Sequence, residues 1–435
     1  MYYFNFHNFS FFIVIIVNFG ILFAFFLEKG IILKLKADYI VTMNEKNEIL
    51  LNAEVIFDKK ILKVGYNLDD SPAVYLGKNS VLMPALINNH THLEFSANTT
   101  TLNYGDFISW LNSVLENRED LFLECSGKCF KNAVDEMKKS GICAFGEISS
   151  SGNDLKYLTK QPLKVIYFNE IIGSNPAVVD MLYQDFLARI EESKKYENEK
   201  FKVAISIHSP YSVHPILMDK VIEIAKKENY IIQTHFMESK AERKWLDEGK
   251  GEFKLFFEQN FKLSKPLIKP VEFIRKFKDT KTTFVHCVHA NEKELEEISK
   301  INGYISHCPV SNRLLNTGLL NLEKVKNKYI DYTVATDGKS SNYSLNLFKE
   351  IRAALLMQTE LHPKYLAKDL LKSVTINAAK SLGLNNGSIE TGKDADLISF
   401  KLPDKIKDIE NLPLQIILHT NEVNYLYING EEINL

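Results

Sequence analysis

Between residues 81 and 382 the chain alternates two kinds of hydrophobic pattern. Short, nearly unbroken apolar runs give way to longer stretches with apolar residues at helical spacing, such as Pro215–Lys227, Glu292–Lys300 and Leu345–Gln358. Eight runs have strand length: Val81–Ile87, Ile142–Ile148, Leu163–Glu170, Lys202–His208, Ile231–Phe236, Thr282–Cys287, Gly303–His307 and Asp331–Asp337. Apolar strands separated by amphipathic helices predict a parallel sheet covered by helices. Eight such units predict an α/β fold of the (β/α)8 TIM-barrel type. The flanks differ: Ile32–Met43, Leu50–Phe57 and Lys60–Val64 alternate apolar and polar residues, as do Ala395–Phe400, Leu414–His419 and Val423–Ile428. Residues 31–80 and 383–435 are therefore expected to form one small β-sandwich domain beside a barrel of residues 81–382.

Residues 1–30 stand apart. Phe11–Leu27 is almost wholly apolar and close to membrane-spanning length. No Lys or Arg precedes it and no small-residue cleavage site follows, so the pattern of a secretory signal is missing. It reads either as an anchor, with Lys29, Lys34 and Lys36 keeping the remainder inside, or as a translated segment ahead of a start near Ile31 to Leu33. Both readings place the catalytic part in the cytoplasm, and only the first brings in a membrane.

Composition narrows the rest. A formal charge of -2 over 435 residues gives no reason to expect nucleic acid or an anionic surface as partner. Five cysteines, an odd number in a long chain, argue against a disulfide framework and fit a reducing compartment. Cys125 and Cys129 are four apart but lack the further soft ligands that a zinc site needs. Nothing in the composition fixes the oligomeric state, and a homo-oligomer stays open.

The polar residues fall in an ordered way. His90, His92, Glu147, Glu170, His208, His235, Glu238, His286, His289, His307 and Asp337 all sit at or just past the ends of predicted strands. That is the face on which such barrels build active sites. In His90-Thr91-His92, residues two apart in extended chain point the same way, so both imidazoles can hold one ion. His235 and Asp337 add ligands from two more strands and leave an open position for water, whose pKa the ion would lower. Glu238 can reach the pocket without ligating and is placed to shuttle protons; without the metal set, it reads better as a solvated acid at a helix N-terminus. His286 continues its strand toward the site. Pro210 breaks the strand after His208 and exposes it, His289 is expected to meet backbone at a turn, and His307 to Asn312 reads as a rigid turn under the pocket.

These pieces together resemble the amidohydrolase superfamily, in the branch that holds adenosine, S-adenosylhomocysteine and methylthioadenosine deaminases, guanine deaminase and triazine chlorohydrolases. The resemblance rests on His90-Thr91-His92, His208-Ser209-Pro210-Tyr211, His235-x-x-Glu238, His286-Cys287-Val288-His289, Pro309-x-Ser311-Asn312, and Thr336-Asp337-Gly338 followed by Ser341-Asn342, in the family's order. It implies one divalent ion, zinc or iron, on His90, His92, His235 and Asp337. It also implies proton transfer by Glu238, an orienting role for His286 and a substrate contact for His208. One departure is informative: the common His-x-His-Pro is here His90-Thr91-His92-Leu93-Glu94-Phe95-Ser96. With Tyr104-Gly105-Asp106-Phe107 and Phe168-Asn169-Glu170, it resembles a narrower group, the aminodeoxyfutalosine deaminases of menaquinone synthesis.

The expected activity is hydrolytic deamination of an adenine nucleoside, 6-amino-6-deoxyfutalosine going to futalosine and ammonia. Arg118 and Arg313 are candidates for the carboxylate of that substrate, because both follow predicted barrel strands. A methylthioadenosine or S-adenosylhomocysteine deaminase, a hydrolase of another heterocycle, and a metal-free binding protein are the alternatives.

Overall fold

The computed structural model describes residues 32–97, 99–117, 125 and 127–435. The apolar leader and Arg118 lie outside the described residues. Among the described residues, no helix is long and apolar enough to cross a membrane.

The barrel is built from β6 (Leu86–Thr91), β7 (Ile142–Ser149), β8 (Lys164–Ile171), β9 (Phe201–Ile207), β10 (Ile232–Phe236), β11 (Thr282–His286), β12 (Tyr304–His307) and β13 (Tyr332–Val334). Each is parallel to the next, and β13 and β6 are the ends of the order. Every residue of β7 and β8 is buried, because barrel side chains cover one face and helices the other. Between β13 and β6 the seam is closed by single bonds: Asp337 N–H donates to His90 C=O (3.2 Å), and Asn88 Nδ2 to Thr336 Oγ1 (2.7 Å). Two of the proposed metal ligands thus meet at the seam itself.

The ends of the chain form a second sheet. Its strands are β1 (Leu33–Val41), β2 (Ile49–Phe57), β3 (Ile61–Gly65), β4 (Val74–Tyr75), β5 (Ser80–Pro84), β14 (Leu397–Lys401), β15 (Tyr425–Ile428) and β16 (Glu431–Glu432). They hydrogen-bond in the order β16-β15-β14-β5-β1-β2-β3, mostly antiparallel, with β4 beside β1. This sheet has its own apolar core, including Leu35, Val55, Phe57 and Leu397. Lys164, at the start of β8, joins the two parts: its buried ammonium bonds Asp396 (2.7 Å) and Asp394 (3.0 Å). Removing one partner of such a buried pair strands the other charge.

Four expectations need correction. The predicted strand Val81–Ile87 divides at Ala85: β5 belongs to the small sheet and β6 to the barrel. Both halves are fully buried, so the apolar run carries no mark of the change. Leu414–His419 is not a strand but part of the helix Leu412–His419, with Pro413 in its first turn and Leu412, Ile416 and Ile417 buried at helical spacing. Pro309–Leu314 is a short helix rather than a turn, with proline at the position where its missing N–H costs nothing. Cys125 and Cys129 are joined as a disulfide, whereas Cys143, Cys287 and Cys308 are free and buried.

Candidate active site

The polar strand ends converge as the sequence suggests. Nε2 of His92 lies 3.1 Å from Nε2 of His90 and 3.3 Å from Nε2 of His235. Asp337 Oδ1 faces the same point, 3.7 Å from His90 Nε2 and 3.6 Å from His92 Nε2.

The protons on two of these rings can be assigned. Gln233 Nε2 donates to the Asn89 carbonyl (2.6 Å), which leaves Gln233 Oε1 toward His90 Nδ1 at 2.8 Å. An amide oxygen only accepts, so His90 carries its proton on Nδ1 and bares Nε2. His235 Nδ1 likewise donates to the His208 carbonyl (2.9 Å) and bares its Nε2. Two bare ring nitrogens therefore face one small region beside His92, an arrangement that a cation satisfies. Burial pushes the pKa of all three histidines down, that of His92 to about 3, so the rings are neutral, as ligands must be. The donor set fits one divalent ion, with the outward bonds that commonly orient imidazole ligands.

Asp337 comes from the loop after β13 and adopts a left-handed φ of 62°. Its Oδ2 accepts from Ser311 (2.8 Å) and Ser341 (2.9 Å), and its Oδ1 accepts from the Gly338 amide (2.8 Å). A Cβ on Gly338 would lie 2.9 Å from the Cβ of His92, so glycine is what lets this loop approach the ligands. His286 ends β11 with φ 70°; its Nδ1 meets Asn312 Oδ1 at 2.9 Å, and its Nε2 lies 3.6 Å from Glu238 Oε1. Burial pushes the pKa of Glu238 well up, helped by the charges of Asp337 and Glu242, which favours its protonated form. Glu242 accepts the backbone N–H groups of Met237 (2.9 Å) and Glu238 (2.8 Å) and fixes the turn that presents Glu238.

A cavity opens over this cluster. Its floor includes His92, His208, His235, Glu238, His286 and Asp337, with Ser150 and Glu170 to one side. Its outer wall is apolar: Phe95; Phe107, Trp110, Leu111 and Val114 of the helix Phe107–Glu116; and Phe256, Phe257 and Phe261 of the helix Glu252–Phe261. Trp110 Nε1 donates to the Ser340 carbonyl (2.8 Å), tying the first helix to the loop that carries Asp337.

Residues 81–433 match the model of the amidohydrolase family. The chain belongs to that family. It is 47% identical over 389 residues to an aminodeoxyfutalosine deaminase of Nitratiruptor sp., covering 88% of this chain and 96% of that one. It is 39% identical over 407 residues to an adenosine deaminase of Helicobacter pylori, covering 91% and 98%. Among solved structures, the Helicobacter pylori aminofutalosine deaminase in complex with methylthio-coformycin superposes with a TM-score of 0.88 at 38% identity, over 92% of this chain and all of that one. A zinc-bound adenosine deaminase from Xanthomonas campestris, at 20% identity and TM-score 0.76 over 92% of each chain, shares the fold.

Within this amidohydrolase cavity several predicted residues are found elsewhere. Glu147 does not line it; its carboxylate accepts from Thr91 Oγ1 and the Leu93 amide, both at 2.7 Å, and braces the chain around His92. His289 bonds the Thr317 carbonyl (2.6 Å), as its place at a turn implied. His307 is fully buried and outside the lining. Arg313 is exposed on the short helix Pro309–Leu314 and does not reach the cavity, because that helix turns its buried face, Ser311 and Asn312, to the site. Among the described residues, no Lys or Arg lines the cavity. Gln233, Glu242, Trp110, Leu111 and Val114 were not singled out in the sequence, and Asn312, Phe95 and Phe107 entered only as members of motifs, without these roles. Phe107, Trp110, Leu111 and Val114 carry a signal, an i, i+3, i+4, i+7 stripe, but core-packing helices carry the same one.

Proposed function

We propose that the protein is a metal-dependent adenine nucleoside deaminase, acting on 6-amino-6-deoxyfutalosine to give futalosine and ammonia in menaquinone synthesis, in the cytoplasm. The observation that carries the chemistry is the convergence of three imidazoles and Asp337 beside a buried Glu238 whose pKa is raised. The identity to the Nitratiruptor enzyme supports the substrate.

His90, His92, His235 and Asp337 would hold one divalent ion, with zinc the reading favoured by three nitrogen ligands and one carboxylate. Such an ion supplies a water of lowered pKa as nucleophile. The remaining steps belong to side chains. Asp337 takes the proton of the attacking water, and Ser311 and Ser341 hold its carboxylate in place. His286, its orientation set by Asn312, directs that water at C6 of the purine. Glu238 gives its proton to the ring nitrogen beside C6, so negative charge does not accumulate as the ring loses aromaticity. Proton return to the amino group releases ammonia and leaves the 6-oxo product. His208 faces the base from the strand next to His235.

The apolar wall suits an aryl or alkylthio group beyond the sugar. Arg118, two residues after the helix that supplies Trp110, keeps the candidate role at the substrate carboxylate. The same wall also fits methylthioadenosine, the second reading. Steady-state kinetics with aminodeoxyfutalosine, methylthioadenosine and adenosine, following ammonia release, decide between them. A higher kcat/KM for methylthioadenosine would overturn the menaquinone assignment and leave the wider deaminase reading.

A further inference from the structure

Glu350 is a buried acid to which the chemistry above gives no part. It stands in the first turn of the helix Leu347–Met357, is 1% exposed and does not line the cavity. Burying a carboxyl is costly unless its oxygens are matched, and the match here is two N–H donors rather than a cation. Oε1 accepts from the Val310 amide (2.9 Å), an N–H that the first turn of the short helix Pro309–Leu314 leaves without an acceptor of its own. Oε2 accepts from Asn342 Nδ2 (2.9 Å). Asn342, also 1% exposed, gives its other Nδ2 proton to the Thr336 carbonyl (2.7 Å), and its Oδ1 takes the Ser344 amide (3.1 Å). One carboxyl thus bridges the Pro309–Leu314 helix and the loop that runs from Thr336 to Asn342.

Those two segments carry the groups that aim the floor. Next to Val310, Ser311 Oγ reaches Asp337 Oδ2 (2.8 Å) and Ser341 Oγ (2.9 Å), and Asn312 Oδ1 receives His286 Nδ1 (2.9 Å). Asp337 and His286 come from different parts of the barrel, after β13 and at the end of β11, so nothing along the chain fixes their separation. Ser311 and Asn312 share one helical turn. Holding that turn against the Asp337 loop therefore holds Asp337 and His286 relative to each other. A second acid on the same loop gives a contrast. Glu136 accepts from Ser344 Oγ (2.7 Å) and the Leu345 amide (2.9 Å) and pairs with Lys339 (2.7 Å). These bonds brace the loop without crossing to the Pro309–Leu314 helix.

We propose that Glu350 is a positioning residue for the deamination: it locks the turn carrying Ser311 and Asn312 to the loop carrying Asp337, and so sets the proton-accepting Asp337 against the orienting His286. This rests on the roles given to those two residues above and adds the group that holds their separation. Glutamine is not a neutral replacement here. Both carboxyl oxygens face N–H donors, so an amide must turn its own NH2 group on one of them, and the bridge opens at Val310 or at Asn342.

The test measures kcat, KM, bound metal and Tm for the wild type, Glu350→Gln and Glu136→Gln, all metal-saturated, on the best of aminodeoxyfutalosine, methylthioadenosine and adenosine. Assays run above the value of about 8 to which burial pushes the Glu350 pKa, so that the wild-type carboxyl is ionised. Glu350→Gln should keep its metal and a KM within about twofold of wild type, since neither Glu350 nor its partners line the cavity, while kcat falls roughly tenfold to hundredfold through misplaced reacting groups. Glu136→Gln should lower Tm yet leave kcat within about threefold, because its bonds do not reach the turn. On a background of Ser311→Ala with Asn312→Ala, where the turn no longer holds either group, Glu350→Gln should cost less than about twofold in kcat. If Glu350→Gln does not fold, Asn342→Ala cuts the bridge at its other end and carries the same expectations; failure of both to fold overturns the proposal. A wild-type kcat in Glu350→Gln overturns it too, as do equal kcat losses in the Glu136 and Glu350 variants or a full loss on the double background, each the mark of a merely structural acid. A wild type inactive on all three nucleosides fails the proposed function instead, and the role of Glu350 falls with it.

Discussion

The two walls of the cavity are made on different terms. At the floor, four groups are fixed by a named partner: Gln233 for His90, the His208 carbonyl for His235, Asn312 for His286, Ser311 and Ser341 for Asp337. These groups stand on or just beyond strand ends, and two of them, His286 and Asp337, occupy left-handed backbone. Such conformations persist only where the surroundings over-determine them. The outer wall has no such constraints. It is two helices offering aromatic and aliphatic faces, pinned to the floor through Trp110 and Ser340. Chemistry is built where geometry is tight, and selectivity where shape alone has to fit. Floor substitutions should therefore change kcat whatever the substrate, and wall substitutions should change KM according to the group beyond the sugar.

The largest effect that can break this division is removal of a ligand. Asp337→Ala should lower activity by more than roughly four orders of magnitude, because in the proposed mechanism one residue both holds the ion and takes a proton. Circular dichroism should show an intact barrel, and metal analysis a loss of bound ion; near-normal activity without metal would defeat the mechanism. Next comes Glu238→Gln, which should keep its metal and lose roughly 10²–10⁴-fold in kcat on every substrate, since an amide cannot deliver the proton. A normal rate would return Glu238 to the role of an acid at a helix start.

A smaller effect separates holding from reacting. Gln233→Leu removes the acceptor that fixes the His90 tautomer, and no substrate touches it. Metal affinity should fall by about 10–100-fold, while kcat at saturating metal stays close to wild type. A fall in kcat with unchanged metal affinity would show that the tautomer matters to the reaction and not to the ion. On the wall, Trp110→Ala should raise KM for methylthioadenosine and aminodeoxyfutalosine by roughly tenfold through lost apolar contact, with adenosine affected far less. Equal effects on all three would mean that the substitution loosens the Ser340 loop and reaches the floor.

The same division explains what could be read from the chain. The convergence of His90, His92, His235, Glu238, His286 and Asp337 was legible because several polar residues at strand ends on one face are hard to explain by packing, and their spacing is set by the strands themselves. The partners that tune them were not. Gln233 and Asn312 are single polar residues inside apolar or mixed runs, and only the fold brings each to its ring. The aromatic wall was hidden for the opposite reason, since Phe107, Trp110, Leu111 and Val114 look like any helix that packs on a core. The split of Val81–Ile87 between two sheets, and the helix at Leu412–His419, show the limit of apolar runs. Burial on every side erases the period that would tell one sheet from another, and a short apolar stretch fits either helix or strand.

The smallest expected effect concerns the carboxylate at the far end of aminodeoxyfutalosine. Arg313 is exposed on the helix Pro309–Leu314, outside the residues that line the cavity. Arg313→Ala should therefore change kcat/KM by less than about twofold on any substrate, as for an exposed charge without a fixed partner. Arg118→Ala is the informative companion, because that residue follows the wall helix by two positions in the chain. If Arg118 pairs with the carboxylate, its loss should cost roughly 1.5–3 kcal/mol on aminodeoxyfutalosine and nothing on methylthioadenosine, which has no such group. The outcome that would upset the comparison is a selective loss in Arg313→Ala. A residue outside the apolar wall would then be choosing the substrate, and selectivity could no longer be assigned to the shape of that wall.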